Sequence, residues 1–288
     1  MKIADIKYFG NEEHKIIMGD AVISLEEIED YSIDLIFADP PYNIGKNFNG
    51  YKDKWSKDAD YIEWCYKWLL LCIKKLKPNG TFYVMTSTQF MPFFDIYLRE
   101  NIHILSRIVW YYDSSGVQAK KYFGSLYEPI LFCVKDKDSY TFNAKDILIE
   151  AKTGAKRKLI DYRKNPPQVY NSEKLPGNVW EFPRVRYRME EYENHPTQKP
   201  VTLLERIIKV SSNKGDLVLD LFSGTFTTSF VAKQLGRRSI GIELQEDYVK
   251  IGLRRLEIQN EYNGETLVKE LRSFEEPLIE QESKLALF

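Results

Sequence analysis

The chain has 288 residues, with 41 Lys or Arg against 42 Asp or Glu and a formal net charge of −1. An apolar share of 43%, 14% aromatic, is that of a globular protein, and the length suits one large domain carrying a sizeable insertion. No apolar run approaches the ~18 residues of a membrane span and the N-terminus lacks a signal-peptide layout, so no membrane partner is expected and a cytoplasmic chain is.

Cys65, Cys72 and Cys133 form no CxxC pair and sit among large apolar residues, which predicts core packing. None follows a proline, so the Pro-Cys nucleophile used to methylate carbon 5 of cytosine is absent. His14, His103 and His195 lie far apart and give no metal-ligand spacing, so no metal is expected.

Ile16, Ile17 and Met18 predict a short strand that ends at Gly19-Asp20-Ala21, and Val22, Leu25 and Ile28 then repeat at helical spacing. A second apolar run, from Ile33 through Leu35, Ile36 and Phe37, reads as a buried strand ending in Asp39-Pro40-Pro41-Tyr42. A given four-residue string of these types arises by chance in about one chain of this length in a thousand, so the tetrad calls for a chemical reason. Two prolines fix the backbone just past the strand and hold the first carbonyl in one direction. A carboxylate and a fixed carbonyl then converge, a pair that accepts both hydrogens of an exocyclic amino group. Tyr42 offers a flat face on which the ring bearing that amine can stack.

Residues 43–57 are polar, aromatic and irregular, with Gly45 and Gly50, and read as a mobile loop beside the tetrad. Tyr61, Trp64, Cys65, Trp68, Leu69, Cys72 and Leu76 mark one face of a long amphipathic helix stopped by Pro78-Asn79-Gly80. A strand from Phe82 to Met85 follows, and this alternation predicts a parallel sheet with crossover helices. After a short helix near Phe90 to Leu98, strands at Ile104 to Tyr111 and Tyr127 to Val134 are expected to pair as a hairpin.

Between the hairpin strands lies a polar segment with Ser114, Ser115, Gly116, Gln118, Lys120 and Lys121, residue types that suit groove or phosphate contact. From about 140 to 192 the periodic patterns fade. Arg157, Arg163, Lys164, Arg184, Arg186 and Arg188 are interleaved there with Tyr162, Tyr170, Trp180, Phe182 and Tyr187. Residues 151–191 hold ten Lys or Arg against five Asp or Glu, whereas 257–288 hold three against eight. The near-zero net charge therefore conceals a basic face suited to nucleic acid. The acidic tail, 261–288, has the composition of a disordered segment.

His195-Pro196-Thr197-Gln198-Lys199-Pro200 opens a helix with Leu203, Leu204, Ile207 and Ile208 on one side, Pro200 in its first turn. Leu217-Val218-Leu219-Asp220 is a compact strand. Leu221-Phe222-Ser223-Gly224-Thr225-Phe226-Thr227-Thr228 turns into a helix, and a strand from Ser239 to Ile242 ends in Glu243, nineteen residues beyond Gly224, with Leu244 next. Strand, glycine turn, helix, strand and acid form a Rossmann half, with the acid placed for ribose hydroxyls. The turn holds one glycine, and no GxGxxG or Walker sequence appears, so a ribose-and-adenine ligand without phosphates fits best. S-adenosyl-L-methionine is such a ligand. Asp220 could hold its amino group while Phe222 and Phe226 wall the pocket.

The tetrad, the Asp-Leu-Phe-Ser-Gly turn and His-Pro-Thr-Gln-Lys-Pro together resemble the amino-methylating DNA methyltransferases of the β class, whose tetrad precedes the target-recognition region and whose cofactor turn comes last. The resemblance covers roughly residues 10–258. It implies an α/β, Rossmann-like S-adenosylmethionine-dependent methyltransferase fold with a mostly parallel seven-stranded sheet, a hairpin edge, circularly permuted motifs and an inserted target-recognition region. The strands ending at Glu243 and Asp220 are then expected between those ending at Asp20 and Asp39. Residues 1–111 are expected to carry the catalytic half, 112–192 the hairpin strand and recognition insertion, and 193–260 the cofactor half.

Carried over residue by residue, the resemblance puts Asp39, Pro40, Pro41 and Tyr42 at the flipped base. Asp20, Ala21, Asp39, Lys199, Pro200, Asp220, Phe222, Ser223, Gly224, Thr225, Phe226, Thr227, Glu243 and Leu244 would surround S-adenosylmethionine, with Asp20 at its adenine. Lys120, Lys121, Arg157, Arg163, Lys164, Arg184, Arg186 and Arg188 would contact DNA. Many members have a glycine where this chain has Phe226.

The expected reaction is direct methyl transfer to the amino group of an adenine flipped from duplex DNA. The 4-amino group of cytosine is the nearest alternative, with Asp rather than Ser at position 39 favouring adenine by resemblance. RNA, a protein glutamine amide and a catalytically silent nucleic-acid-binding protein stay open beyond it. A homodimer and a companion nuclease are left undecided, as is the recognition sequence.

Overall fold

A computed structural model describes residues 6–48, 50–113, 120–152 and 158–258. The strands form where apolar residues alternate between two faces. On β3 (Ile33–Ala38), Ile33, Ile36 and Ala38 face one core, while Leu35 and Phe37 face the other. On β4 (Leu76–Met85), Phe82 and Val84 join the first core, and Tyr83 and Met85 the second. A sheet buried on both faces must be covered by helices on both.

Nine strands make up that sheet. With β1 (Lys7–Gly10), β2 (His14–Met18), β5 (His103–Tyr111), β6 (Tyr127–Val134), β7 (Val179–Glu181), β8 (Leu217–Asp220) and β9 (Arg238–Glu243), the order is β1-β2-β9-β8-β3-β4-β6-β5-β7. The run from β2 to β4 is parallel throughout. In the hairpin, β6 runs antiparallel to β4, and β5, antiparallel to β6, returns to the direction of the parallel run. The expected insertion of β9 and β8 between β2 and β3 is borne out.

Two strands extend the seven expected. β1 pairs antiparallel with β2 at one edge, and β7, contributed by the stretch between β6 and β8, pairs in parallel with β5 at the other. The hairpin is therefore not the edge of the sheet.

The first core lies under α1 (Ala21–Glu26), α2 (Asp58–Lys75) and α3 (Met91–Asn101). The aromatic stripe of α2 is buried there, with Tyr61, Cys65, Trp68 and Leu69 fully covered. The helix ends at Lys75, and Leu76 is already extended and begins β4. The second core lies under α4 (Val201–Ser211) and α5 (Thr227–Gln234). A smaller third cluster packs α6 (Glu246–Leu256) on Phe9, Ile16 and Phe226. All three cysteines are buried and unbridged.

The segment after the tetrad, read as a mobile loop, contains a short antiparallel ribbon pairing Asn47–Phe48 with Tyr51–Lys52. The buried carboxylate of Asp53 accepts from the Tyr42 amide at 3.2 Å and from the Lys46 amide, which ties the ribbon to the tetrad. Among the described residues no helix is long and apolar enough to cross a membrane. Arg157, the segment 114–119 and the acidic tail fall outside the described residues.

Candidate active site

Because β2, β9, β8 and β3 are parallel neighbours, their carboxyl ends lie side by side, and the four acids at those ends, Asp20, Glu243, Asp220 and Asp39, gather at one rim of the sheet. An open cleft of about 1090 Å³ lies there. Asp20, Ala21, Asp39, Pro40, Pro41, Tyr42, Phe222, Gly224, Glu243, Leu244 and Lys199 all line it. Trp64, Glu128, His195, Gln245 and Tyr248 are also in its wall. A smaller space behind it is lined by Asp220, Ser223, Thr225 and Thr227, and shares Asp39, Phe222, Gly224 and Lys199 with the main cleft.

Asp39 follows directly on β3, and the two prolines leave the chain no amide with which to continue the ladder. Tyr61 donates to the Pro41 carbonyl at 2.8 Å, anchoring the turn to α2. Tyr42 does not present a free ring edge. Its hydroxyl donates to Asp39 Oδ1 at 2.6 Å and also lies 2.9 Å from Glu128 Oε2. Lys199 Nζ sits 2.5 Å from Asp39 Oδ2 and 3.6 Å from Glu128 Oε2, so it joins the tetrad's acid. Glu128 is held in turn by the Tyr112 hydroxyl at 3.1 Å.

Burial disfavours charge on every member of this group, but the outcomes differ. For Asp39 burial outweighs the opposing pull of Lys199, and its carboxyl rises above the ordinary range. For Glu128 burial is outweighed by Lys199, Tyr42, Tyr112 and Arg184, and its carboxyl is lowered. The Lys199 ammonium overcomes its own burial through Asp39 and Glu128 and is raised.

On the cofactor side, Glu243 accepts from the Gly224 amide at 2.8 Å and the Gln245 amide at 2.7 Å, yet burial pushes its carboxyl up to about 7. Asp220 accepts from the Phe222 amide at 3.1 Å and from the Thr228 hydroxyl, and burial pushes it likewise up to about 7. Gly224 has φ +50, and a Cβ there would lie 3.1 Å from His195 Nε2, so both conformation and the close imidazole require glycine. Burial, with Lys199 and Lys46, lowers His195 to about 3, which keeps that imidazole neutral. Asp20 Oδ1 caps α1 through the amides of Val22 and Ile23 while the residue lines the cleft.

Two residues expected at the cofactor lie elsewhere. Phe226 takes the left-handed conformation, φ +57, and its ring turns inward against Gly241 and Gly252, fully buried in the third cluster. An apolar ring is better placed there than beside a polar ligand, so Phe226 walls no part of the cleft. Pro200 caps α4 and lines neither space.

Of the residues expected at DNA, Lys120 and Lys121 are exposed. Arg163 is paired with Asp161 at 2.8 Å, and Lys164 is half-buried. Arg184 stacks 5.1 Å from the Tyr112 ring, Arg186 donates to the Asp113 carbonyl at 3.1 Å, and Arg188 lies 5.9 Å from the ring of Tyr187. Arg184 and Arg186 are thus joined to the hairpin that carries Glu128.

Glu128, Asp53, His195 and Tyr248 were not among the expected site residues. His195 opens the His-Pro-Thr-Gln-Lys-Pro motif, and for Glu128 the signal was an acid followed by proline, Glu128-Pro129, interrupting an otherwise apolar strand.

The DNA methylase family model matches residues 33–254. Over 261 residues, 91% of this chain and 88% of that protein, the sequence is 59% identical to DNA adenine methyltransferase YhdJ of Escherichia coli (strain K12). It is 34% identical over 254 residues to Type II methyltransferase M.HpaI of Haemophilus parainfluenzae, covering 88% of this chain and 76% of that one. A solved structure of PvuII DNA methyltransferase (cytosine-N4-specific) has the same fold, with a TM-score of 0.67 at 17% identity over 94% of this chain and 95% of that one. A family match that spans both the tetrad and the acid-ended strands facing it across one cleft makes this chain a member of the DNA methylase family.

Proposed function

We propose that this chain transfers a methyl group from S-adenosylmethionine directly to the N6 amino group of an adenine flipped out of duplex DNA at a specific sequence, in the cytoplasm. The observation that carries the reading is that Asp39 and Glu243, the acids at the ends of β3 and β9, face one cleft. The name of the 59%-identical relative supports adenine over cytosine.

The residues present fit the cofactor. Glu243 is a half-buried acid at a strand end, suited to ribose hydroxyls, and Trp64 and Phe222 supply flat apolar wall. The buried hydroxyl of Tyr248 lines the same cleft with no hydrogen-bond partner among the described residues. When bound, S-adenosylmethionine supplies an electrophilic methyl group on a cationic sulfonium.

The amino lone pair of adenine is delocalised into its ring and is a weak nucleophile. Acceptance of its two hydrogens by Asp39 and the Pro40 carbonyl favours a pyramidal nitrogen with a freer lone pair. Asp39 then stabilises the positive charge that develops on that nitrogen, so positioning and electrostatics supply the acceleration. The Tyr42 ring serves as the platform for the flipped base. Lys120, Lys121, Arg184, Arg186 and Arg188 hold the duplex by its phosphates, and residues 112–192 select the site.

The test is to incubate the protein with unmethylated duplex DNA and labelled S-adenosylmethionine, digest to nucleosides and identify the labelled one. N6-methyladenine is expected. N4-methylcytosine would move the reading to the other base, and no label with cofactor binding intact would overturn it.

A further inference from the structure

Asp39 must accept one hydrogen of the incoming amine, the Pro40 carbonyl taking the other, yet each of its oxygens already has a partner. Lys199 Nζ lies on Oδ2 at 2.5 Å and the Tyr42 hydroxyl on Oδ1 at 2.6 Å. The amine competes with both groups for the lone pairs of that carboxylate, and a group it displaces cannot be left without an acceptor, because an unpaired ammonium or hydroxyl in a covered site is costly. Lys199 also donates to the neutral Thr197 carbonyl at 3.3 Å, but the second charged acceptor within reach is the same for both groups, Glu128 Oε2, 2.9 Å from the Tyr42 hydroxyl and 3.6 Å from Lys199. The Tyr42 hydroxyl carries one proton and stands between two carboxylates, so it can turn from one to the other without moving its ring.

We propose that Glu128 is a positioning residue for methyl transfer: it takes over Lys199 and the Tyr42 hydroxyl when the substrate amine enters, and so frees Asp39. The inference rests on the amino-methyltransferase reading above.

The surroundings suit this exchange. Glu128 is fixed on β6 opposite Trp110 of β5, and the Tyr112 hydroxyl holds its other oxygen at 3.1 Å. Its receiving oxygen therefore stays in place while Lys199 shifts by a fraction of an ångström. Charge is balanced as well. Two half-buried carboxylates share the Lys199 ammonium before the cofactor binds, and the cationic sulfonium supplies a further positive charge. With Lys199 drawn to Glu128, Asp39 keeps its full charge for the nitrogen that becomes positive.

The direct test is a structure of the wild-type protein with target duplex and the unreactive analogue sinefungin. Lys199 Nζ is expected at about 3 Å from Glu128 and off Asp39 once the base is bound. Lys199 remaining on Asp39 with the base in the cleft would overturn the proposal.

Kinetics give a second test. Glu128→Gln keeps the shape but removes the charge, and is expected to slow single-turnover transfer by about a hundredfold, with cofactor and DNA affinities within about twofold of wild type. In a Lys199→Met background the same substitution is expected to cost under about tenfold, since its action runs through Lys199. Wild-type rates for Glu128→Gln, or an equal loss in both backgrounds, would also overturn it. Failure of the amino-methylation reading is separate, because it would appear as wild-type protein that labels no adenine or cytosine.

Discussion

The Glu243 carboxylate accepts the Gly224 amide at 2.8 Å, closing the end of β9 onto the glycine turn that follows β8. The bond sets the acid facing the cleft, and burial raises its carboxyl to about 7. Ribose hydroxyls and a nearby cation favour the ionised form, so binding lowers that value. Between the bound and free values, binding releases protons, and affinity for S-adenosylmethionine rises with pH up to about 7 and levels off above it. Calorimetry in two buffers of different ionisation heat reads this release. Glu243→Gln is expected to weaken binding by at least about tenfold, the loss of roughly one charged hydrogen bond, and to flatten the slope below pH 7.

Asp39→Ala is expected to abolish methyl transfer while cofactor affinity stays within a few-fold of wild type. Lys199 keeps Glu128 as its counter-ion in the variant, which limits the damage to folding. Equal loss of transfer, cofactor binding and thermal stability would indicate collapse of the site rather than loss of the acceptor.

Phe226→Gly sets two effects against each other. Glycine relieves the left-handed strain by about 1–2 kcal/mol, but the lost ring empties the contact with Gly241 and Gly252 at a cost of about 3–5 kcal/mol. Net destabilisation of about 1–4 kcal/mol is expected in denaturant unfolding. The cofactor affinity of the folded protein should change little, because the ring lies outside the cleft.

Arg184→Ala and Arg186→Ala are each expected to weaken duplex binding and to reduce the slope of log affinity against log salt by about 1. Arg163→Ala should do less, because Asp161 already holds that guanidinium. An unchanged salt slope for the first two would remove them from the phosphate contacts.

Much of this arrangement is legible in the sequence because four neighbouring parallel strands are apolar runs that stop at a carboxylate. Asp20, Asp39, Asp220 and Glu243 mark four strand ends, and parallel pairing brings strand ends together. β7 was not legible, since Val179–Glu181 is three residues within a stretch lacking periodicity, and its pairing depends on β5 being near. Glu128 was missed because one acid in an apolar strand carries no spacing signal, and its partners come from 16 to 86 residues away. The inward turn of Phe226 depends on Gly241 and Gly252 leaving room from two other elements, which no local pattern records.

The pairing of β7 with β5 also bears on how such enzymes change target. The segment proposed to read DNA supplies the strand that closes one side of the catalytic sheet, so it is a structural member as well as the proposed reader. A segment exchanged between relatives has to bring a strand that matches Val109 to Tyr111 in register. One that selects a new site but lacks that strand would leave β5 with a bare row of amides and carbonyls, open to pairing with another molecule. Such a chimera would fail by self-association before its sequence preference could be measured.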